Sequence, residues 1–212
     1  MTRENSGRVL EYCYEGGLLF DRQDGYGIET TADGAKYEGY FKKGKKGPSG
    51  TWHLTNGNMY QGEFLNGVMH GHGKLTNSIN KTSYEGDWKS GKMHGQGLYL
   101  WEDGRRYQGQ YENDKKKGFG AYMWVDGRVY HGMWKDGVQN GEGTTVNPNM
   151  LMKKAFWENG KETTPLDLAQ AEREEIEEYV QNMHKEKARL MAEGKIKASA
   201  RTSVANSRTK KL

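Results

Sequence analysis

A tripeptide of Tyr, then Glu, Gln or His, then Gly begins at Tyr14, Tyr37, Tyr60, Tyr84, Tyr107 and Tyr130, at spacings of 23, 23, 24, 23 and 23 residues. So regular a period is the pattern of a stacked repeat. With each Tyr as position 0, position 4 is aromatic in Phe41, Phe64, Trp88, Tyr111 and Trp134. Position 7 is Gly44, Gly67, Gly91 and Gly137. Paired glycines hold positions 11 and 13 at Gly25/Gly27, Gly71/Gly73, Gly95/Gly97, Gly118/Gly120 and Gly141/Gly143. Positions 19 and 20 are Asp33-Gly34, Asn56-Gly57, Asp103-Gly104 and Asp126-Gly127.

Side chains alternate along a strand, so positions 0, 2 and 4 share one face. Asn66-Gly67, Ser90-Gly91 and Asp136-Gly137 supply the positive φ of a tight hairpin turn. Strand, turn, strand, turn then repeats as a continuous antiparallel meander. Of 24 aromatic residues, 18 fall in phase on one face, and Tyr12, Tyr26, Tyr40, Phe119, Phe156 and Tyr179 do not. Interleaved glycines let those rings lie over backbone and pack edge to face. The other face is expected to be charged. The fold class is therefore an all-β repeat array: an elongated single-layer antiparallel β-sheet with a C-terminal α-helix and a basic tail.

Composition agrees. Gly is 30 of 212 residues, hydrophobic residues are 33%, and Tyr, Trp and Phe carry the apolar load. Cys13 is the single cysteine, which rules out an intramolecular disulfide and fits a reducing compartment. The sequence shows neither a secretory leader nor a run of 18 apolar residues, so a soluble intracellular protein is expected. The net charge of +4 is uneven: residues 195–212 sum to +6, residues 164–194 to −4 and residues 1–163 to +2.

The fourth unit runs Tyr84-Glu85-Gly86-Asp87-Trp88-Lys89-Ser90-Gly91, then Lys92-Met93-His94-Gly95-Gln96-Gly97-Leu98, and on to Asp103-Gly104. It resembles the MORN repeat (membrane occupation and recognition nexus), and the resemblance covers about residues 14–160. Several units depart from the pattern. The first has Leu18 at position 4, the second has Gly47-Pro48 near position 11, the third has an extra residue in Asn77–Ser83, and the fifth has Asp114 for the turn Gly. Lys153 then takes the Tyr position, with Trp157 and Gly160 at positions 4 and 7, which reads as a half repeat closing the sheet.

Domains read as a lead-in over 1–13, six repeats and a half over 14–160, an amphipathic helix over 161–194 and a disordered basic tail over 195–212. Thr164-Pro165 with Asp167 has the form of a helix start. Leu166, Ala169, Ile176, Val180, Met183 and Leu190 form a narrow apolar seam, expected to dock on the open end of the sheet.

Catalysis finds no support. The paired glycines lack the third Gly and following helix of a dinucleotide loop. Glu85 and Asp87 recur as general surface charge, and no Ser-His-Asp or Cys-His arrangement is discernible. His70, His72 and His94 share a direction but lack completing Cys or carboxylate ligands, so no metal and no cofactor is expected. The chain reads as a non-enzymatic scaffold whose aromatic face is a groove for an extended or helical partner segment. Its candidate partner-binding residues are Tyr60, Phe64, Tyr84, Trp88, Tyr99, Trp101, Tyr107, Tyr111, Tyr122, Trp124, Tyr130 and Trp134. Lys195, Lys197, Arg201, Arg208, Lys210 and Lys211 are candidates for binding an acidic surface, anionic lipid or tubulin tails. No aromatic interleaves them, which argues against nucleic acid. A homodimer is an open oligomeric state. The resemblance further implies protein partners in a large assembly, of the kind formed by radial-spoke heads of cilium and flagellum axonemes or by other cytoskeletal scaffolds. Its alternative is a peripheral membrane module recognising phosphoinositides.

Overall fold

The computed structural model describes residues 2–5 and 8–197. It is an open antiparallel sheet whose strands follow chain order, with one helix after them. Six hairpins follow the 23-residue period: β2 (Arg8–Leu19) with β3 (Arg22–Thr31), β4 (Lys36–Lys42) with β5 (Lys45–His53), and β6 (Met59–Leu65) with β7 (Val68–Asn77). Then come β8 (Thr82–Lys89) with β9 (Lys92–Leu100), β10 (Arg106–Glu112) with β11 (Lys115–Met123), and β12 (Val129–Lys135) with β13 (Val138–Val146). The half repeat supplies β14 (Met152–Glu158) and β15 (Lys161–Leu166). A short β1 (Thr2–Asn5) pairs with β2, so part of the expected lead-in is strand. Helix α1 spans Gln170–Ala192. Among the described residues two compact units divide the chain, one running to residue 97 and including 111–114, the other of residues 98–110 and 115–197.

The turns have the backbone that the dipeptides imply. Asn66-Gly67 has φ values of 55° and 86°, and Asp136-Gly137 has 50° and 90°, two consecutive positive values as in a type I′ hairpin. Asn113-Asp114 adopts the same form without glycine, at 50° and 68°. The residue at position 7 of one repeat donates its N–H to the carbonyl at position 9 of the repeat before. Gly67 donates to Lys46 at 3.0 Å, Gly137 to Lys116 at 3.0 Å and Gly160 to Gln139 at 2.9 Å. The last of these places Lys153 at position 0 of a genuine half repeat.

The two glycines of each pair have different tasks. Gly71 and Gly118, at position 11, sit at φ of 62° and 66° where a side chain would be strained. The position-13 glycine instead leaves room for a ring. A Cβ on Gly50 would stand 2.5 Å from Cζ of Tyr37, and Gly39, its cross-strand partner, faces Gly50 Cα equally closely. Each repeat Tyr therefore lies flat across a pair of facing glycines. Its hydroxyl donates to the carbonyl three residues on, as from Tyr60 to Glu63 at 2.9 Å and from Tyr107 to Gln110 at 3.0 Å.

Tyr37, Tyr60, Tyr84 and Tyr130 each also meet two position-4 rings edge to face. Within the first unit, Tyr60 meets Phe64 at 5.1 Å and Trp88 at 5.3 Å, and Tyr84 meets Trp88 at 5.1 Å and Tyr111 at 5.2 Å. Within the second, Tyr130 meets Trp134 at 5.3 Å and Trp157 at 5.2 Å. Such pairs contribute about 0.5–1.5 kcal/mol each beyond area burial. Burial raises the phenol pKa along this ladder, to about 12 for Tyr37 and further for Tyr60, Tyr84, Tyr107 and Tyr130. Phe20, in phase by count, lies instead in the first hairpin turn and is exposed.

Three expectations about the end of the chain are corrected. First, Thr164 and Pro165 belong to β15, opposite Phe156 and Ala155, and not to a helix cap. Proline suits a terminal edge strand because its missing N–H breaks no ladder bond there. The helix starts at Gln170 after Ala169, which makes no side-chain cap. Secondly, α1 docks on the reverse face of the second unit rather than on the open end of the sheet. Its Ile176, Val180 and Met183 pack with Ala121, Met123, Val129 and Val146 in one buried cluster. Thirdly, the reverse face is therefore apolar under the helix and not uniformly charged. His131 lies there against Phe119 and Tyr179, where burial lowers its pKa.

Polar anchors fix the helix further. His184 Nε2 lies 2.8 Å from Gly127 O, and Lys187 Nζ donates to Val125 O at 2.7 Å. Gly194 ends the helix at φ 68°, donating to Met191 O at 3.1 Å while Lys195 donates to Leu190 O at 2.9 Å, the paired bonds of a Schellman cap. Among the described residues, no helix is long and apolar enough to cross a membrane.

Candidate functional site

Nine of the twelve aromatic candidates are core. Tyr60, Phe64, Tyr84, Trp88, Tyr107, Tyr111, Tyr122, Tyr130 and Trp134 are buried, none more than 9% exposed. The expected open groove of rings is corrected accordingly: the glycines let the ladder close upon itself, and its hydroxyls and edges are already satisfied within the sheet. Tyr99, Trp101 and Trp124 are only partly buried, all in the second unit.

Those three stand at the centre of a dense aromatic and cationic cluster on β9, β11 and the turns that follow them. Tyr99 meets Trp101 at 4.4 Å, Trp101 meets Tyr122 at 5.7 Å, and Tyr122 meets Trp124 at 4.9 Å. The two turns are built alike from Trp101-Glu102-Asp103-Gly104-Arg105 and Trp124-Val125-Asp126-Gly127-Arg128. In each, the Trp N–H is paired with the Arg carbonyl and the turn Gly donates back to the Trp carbonyl. Arg105 lies 5.3 Å over the Trp101 ring and Arg128 5.4 Å over Trp124. Asp103 and Asp126 hold these guanidinium groups at 2.8 and 2.7 Å, which lowers both carboxyl pKa values against the opposing effect of burial.

Lys116 occupies the middle. Its Nζ is 4.5 Å from the centroid of Tyr122, 4.7 Å from Trp134, 5.1 Å from Tyr107 and 5.7 Å from Trp101. Burial among these rings, with Arg105 nearby, pushes its pKa down to about 8. A cavity of about 540 Å³ adjoins, lined in part by Trp124, Arg128, Gln139, Lys153 and Trp157. Trp88 and Trp134 donate their indole N–H to Gly73 O and Gly120 O at 3.0 Å, whereas the buried Trp157 Nε1 has no acceptor. The surface thus combines large rings and fixed cations, the chemistry by which protein interfaces hold a partner chain.

The sequence reading did not single out Lys116, Arg105 or Arg128. The repeated Trp-x-Asp-Gly-Arg was the available cue, together with a lysine at position 9 between aromatic strands. Of the six tail cations, Lys195 pairs with Glu193 at 2.7 Å and Lys197 with Glu102 at 2.8 Å, so both already have carboxylate partners. Arg201, Arg208, Lys210 and Lys211 lie outside the described residues. His72 sits 3.4 Å from Asp87, and among the described residues no group of three or more His, Cys, Asp or Glu is placed to hold a metal.

Comparison with known proteins gives one family and two distant structures. The MORN repeat profile matches residues 14–36, 37–59, 60–79, 84–105, 107–127 and 130–149. No curated protein matches. Among solved structures, the Drosophila melanogaster SAS-4 (dCPAP) TCP domain, in complex with a proline-rich motif of Ana2 (dSTIL), is 10% identical with a TM-score of 0.38, covering 68% of this chain and 86% of that one. The TCP10 domain of Danio rerio CPAP, in complex with a STIL peptide, is 12% identical with a TM-score of 0.18, covering 74% of this chain and 100% of that one. Likeness this weak does not define what the present chain binds. The six matched units coincide with the six hairpins and span most of the sheet, and the chain belongs to the MORN repeat family, a non-catalytic repeat scaffold.

Proposed function

We propose that this protein is a non-enzymatic adaptor that captures a protein segment on the aromatic face of its second unit, around Trp101 and Trp124. One observation carries the reading: these two tryptophans are only partly buried while nine other rings of the same face are sealed. Large apolar groups left open among fixed cations favour a partner over bulk water. The setting we assign is a cytoskeletal assembly such as a ciliary or flagellar axoneme, supported by the resemblance of a MORN array followed by a helix and a basic segment to such scaffolds.

The test is affinity capture with Trp101→Ser/Trp124→Ser against the wild-type chain. Neither ring belongs to the buried ladder, so circular dichroism should be unchanged while specific partners fall by roughly tenfold or more, equivalent to about 1.4 kcal/mol. A folded double variant that retains every partner at wild-type yield would refute the assignment.

A second reading, association with anionic lipid, has its own supporting feature in the first unit. A cavity of about 630 Å³ there is lined by Arg22, Lys42, Lys43, Lys45 and Lys46. If that reading held, vesicles containing anionic lipid would bind the Ser/Ser variant as well as wild type.

A further inference from the structure

The ninth position after each repeat Tyr holds Gln23, Lys46, Met69, Met93, Lys116 and Gln139. Its two lysines invite comparison. Lys46 lies 5.5 Å over its own repeat's Tyr37 and 5.0 Å over Trp52, and its Nζ bonds Glu29 at 2.9 Å. Glu29 comes from the fifteenth position of the preceding repeat. Lys116 stands in the same relation to Tyr107 and Tyr122, with Trp101 and Trp134 added. The residue equivalent to Glu29 is there Tyr99. Among the described residues Lys116 has no ion-pair partner, and Arg105 repels its charge. Ring faces attract an ammonium, but they supply no lone pair for its three N–H donors.

We propose that Lys116 recognises a carboxylate: an Asp or Glu of an incoming protein segment takes beside Lys116 the place that Glu29 takes beside Lys46. The occupant is thus an acidic segment, its carboxylate on Lys116 and its apolar neighbours on Trp101 and Trp124. Charge complementarity selects this class, since Arg105 and Lys116 share the Trp101 ring and Arg128 lies over Trp124, while the local acids Asp103 and Asp126 are already engaged by the two arginines. The inference rests on the partner-binding reading and names the chemistry of that partner.

Random dodecapeptides displayed on phage should be selected on the full-length chain, in parallel with Lys116→Met and Tyr99→Glu. Met is already tolerated at this position as Met69 and Met93, and Tyr99→Glu rebuilds the internal pair seen at Lys46. Peptides from the wild-type selection should be enriched in Asp or Glu beside apolar residues. A synthetic copy should bind both folded variants at least tenfold more weakly. Exchanging its acidic residue for the amide should weaken wild-type binding by a similar factor and change nothing further on Lys116→Met.

Peptides without acidic enrichment, or bound equally by Lys116→Met, would overturn the role of Lys116. Their loss on Trp101→Ser/Trp124→Ser would still leave the aromatic face as the binding surface. Failure to select any peptide would count against both ideas. Phosphatidylserine vesicles that bind wild type but not Lys116→Met, without peptide enrichment, would make a lipid headgroup the ligand and overturn the protein-segment proposal.

Discussion

Gly109→Ala is expected to destabilise the second unit by about 3 kcal/mol, the upper part of the range for overpacking a closed interior. The added Cβ would stand 2.5 Å from Gly120 Cα, 2.7 Å from Phe119 O and 2.8 Å from the Tyr107 hydroxyl. Two of those neighbours are backbone of the adjacent strand, so no rotamer change relieves the contact. The strand must shift, and with it the Tyr107 ring that meets Trp134 at 5.3 Å. Gly137→Ala is the control, because its Cβ would meet nothing within 4 Å and its φ of 90° carries only backbone strain. That change should cost about 1–2 kcal/mol. Urea midpoints measure both. Equal losses would mean that the facing glycines matter only as turn formers, contrary to the packing described.

Val180→Asp should release the helix. Val180 is fully buried against Ala121, Met123, Val129 and Val146, and an unpaired carboxylate there has no hydrogen-bond donor to receive it. Lost burial of about 1.5–3 kcal/mol adds to the penalty for an isolated charge, so a total above about 4 kcal/mol is expected. The polar contacts of His184 and Lys187 with turn carbonyls cannot offset that. Trypsin should then cut within Gln170–Ala192 long before the sheet, and the uncovered reverse face should bind a hydrophobic dye. A helix as protease-resistant as wild type would show that its docking does not depend on this cluster.

The repeat itself was plainly legible. Tyr60, Phe64 and Gly73 recur at a fixed period because one local solution, a ring over facing glycines, is used again in each hairpin. The Asn-Gly and Asp-Gly turns were readable for the same reason, since few residues reach positive φ. What the period concealed was burial. Alternation places Tyr84 and Trp101 on one face, yet only the packed structure distinguishes a ring sealed by its neighbours from one left open. The start of the helix was misread because Thr164-Pro165 suits both a cap and an edge strand, and pairing with β14 decided between them. The docking surface was present as a drift along the repeats. Positions 14 and 16 pass from Lys74 and Thr76 through Leu98 and Leu100 to Ala121 and Met123, so polar residues give way to apolar ones where the helix will lie. That trend appears only when equivalent positions are compared down the column rather than along each strand.

The central claim is that the two faces of the second unit have different tasks, the aromatic one to hold a partner and the reverse one to hold the helix. Site-directed photocrosslinking tests it most directly. A photoreactive p-benzoylphenylalanine is placed at Trp124 in one protein and at Phe119 in another. Phe119 is 48% exposed and sits on the reverse face beside His131. Both proteins are irradiated in the extract from which partners are captured. The account predicts a discrete crosslinked partner band from position 124 and none from position 119. Crosslinking from position 119 with position 124 silent would contradict it, and would place partner binding on the helix-bearing face.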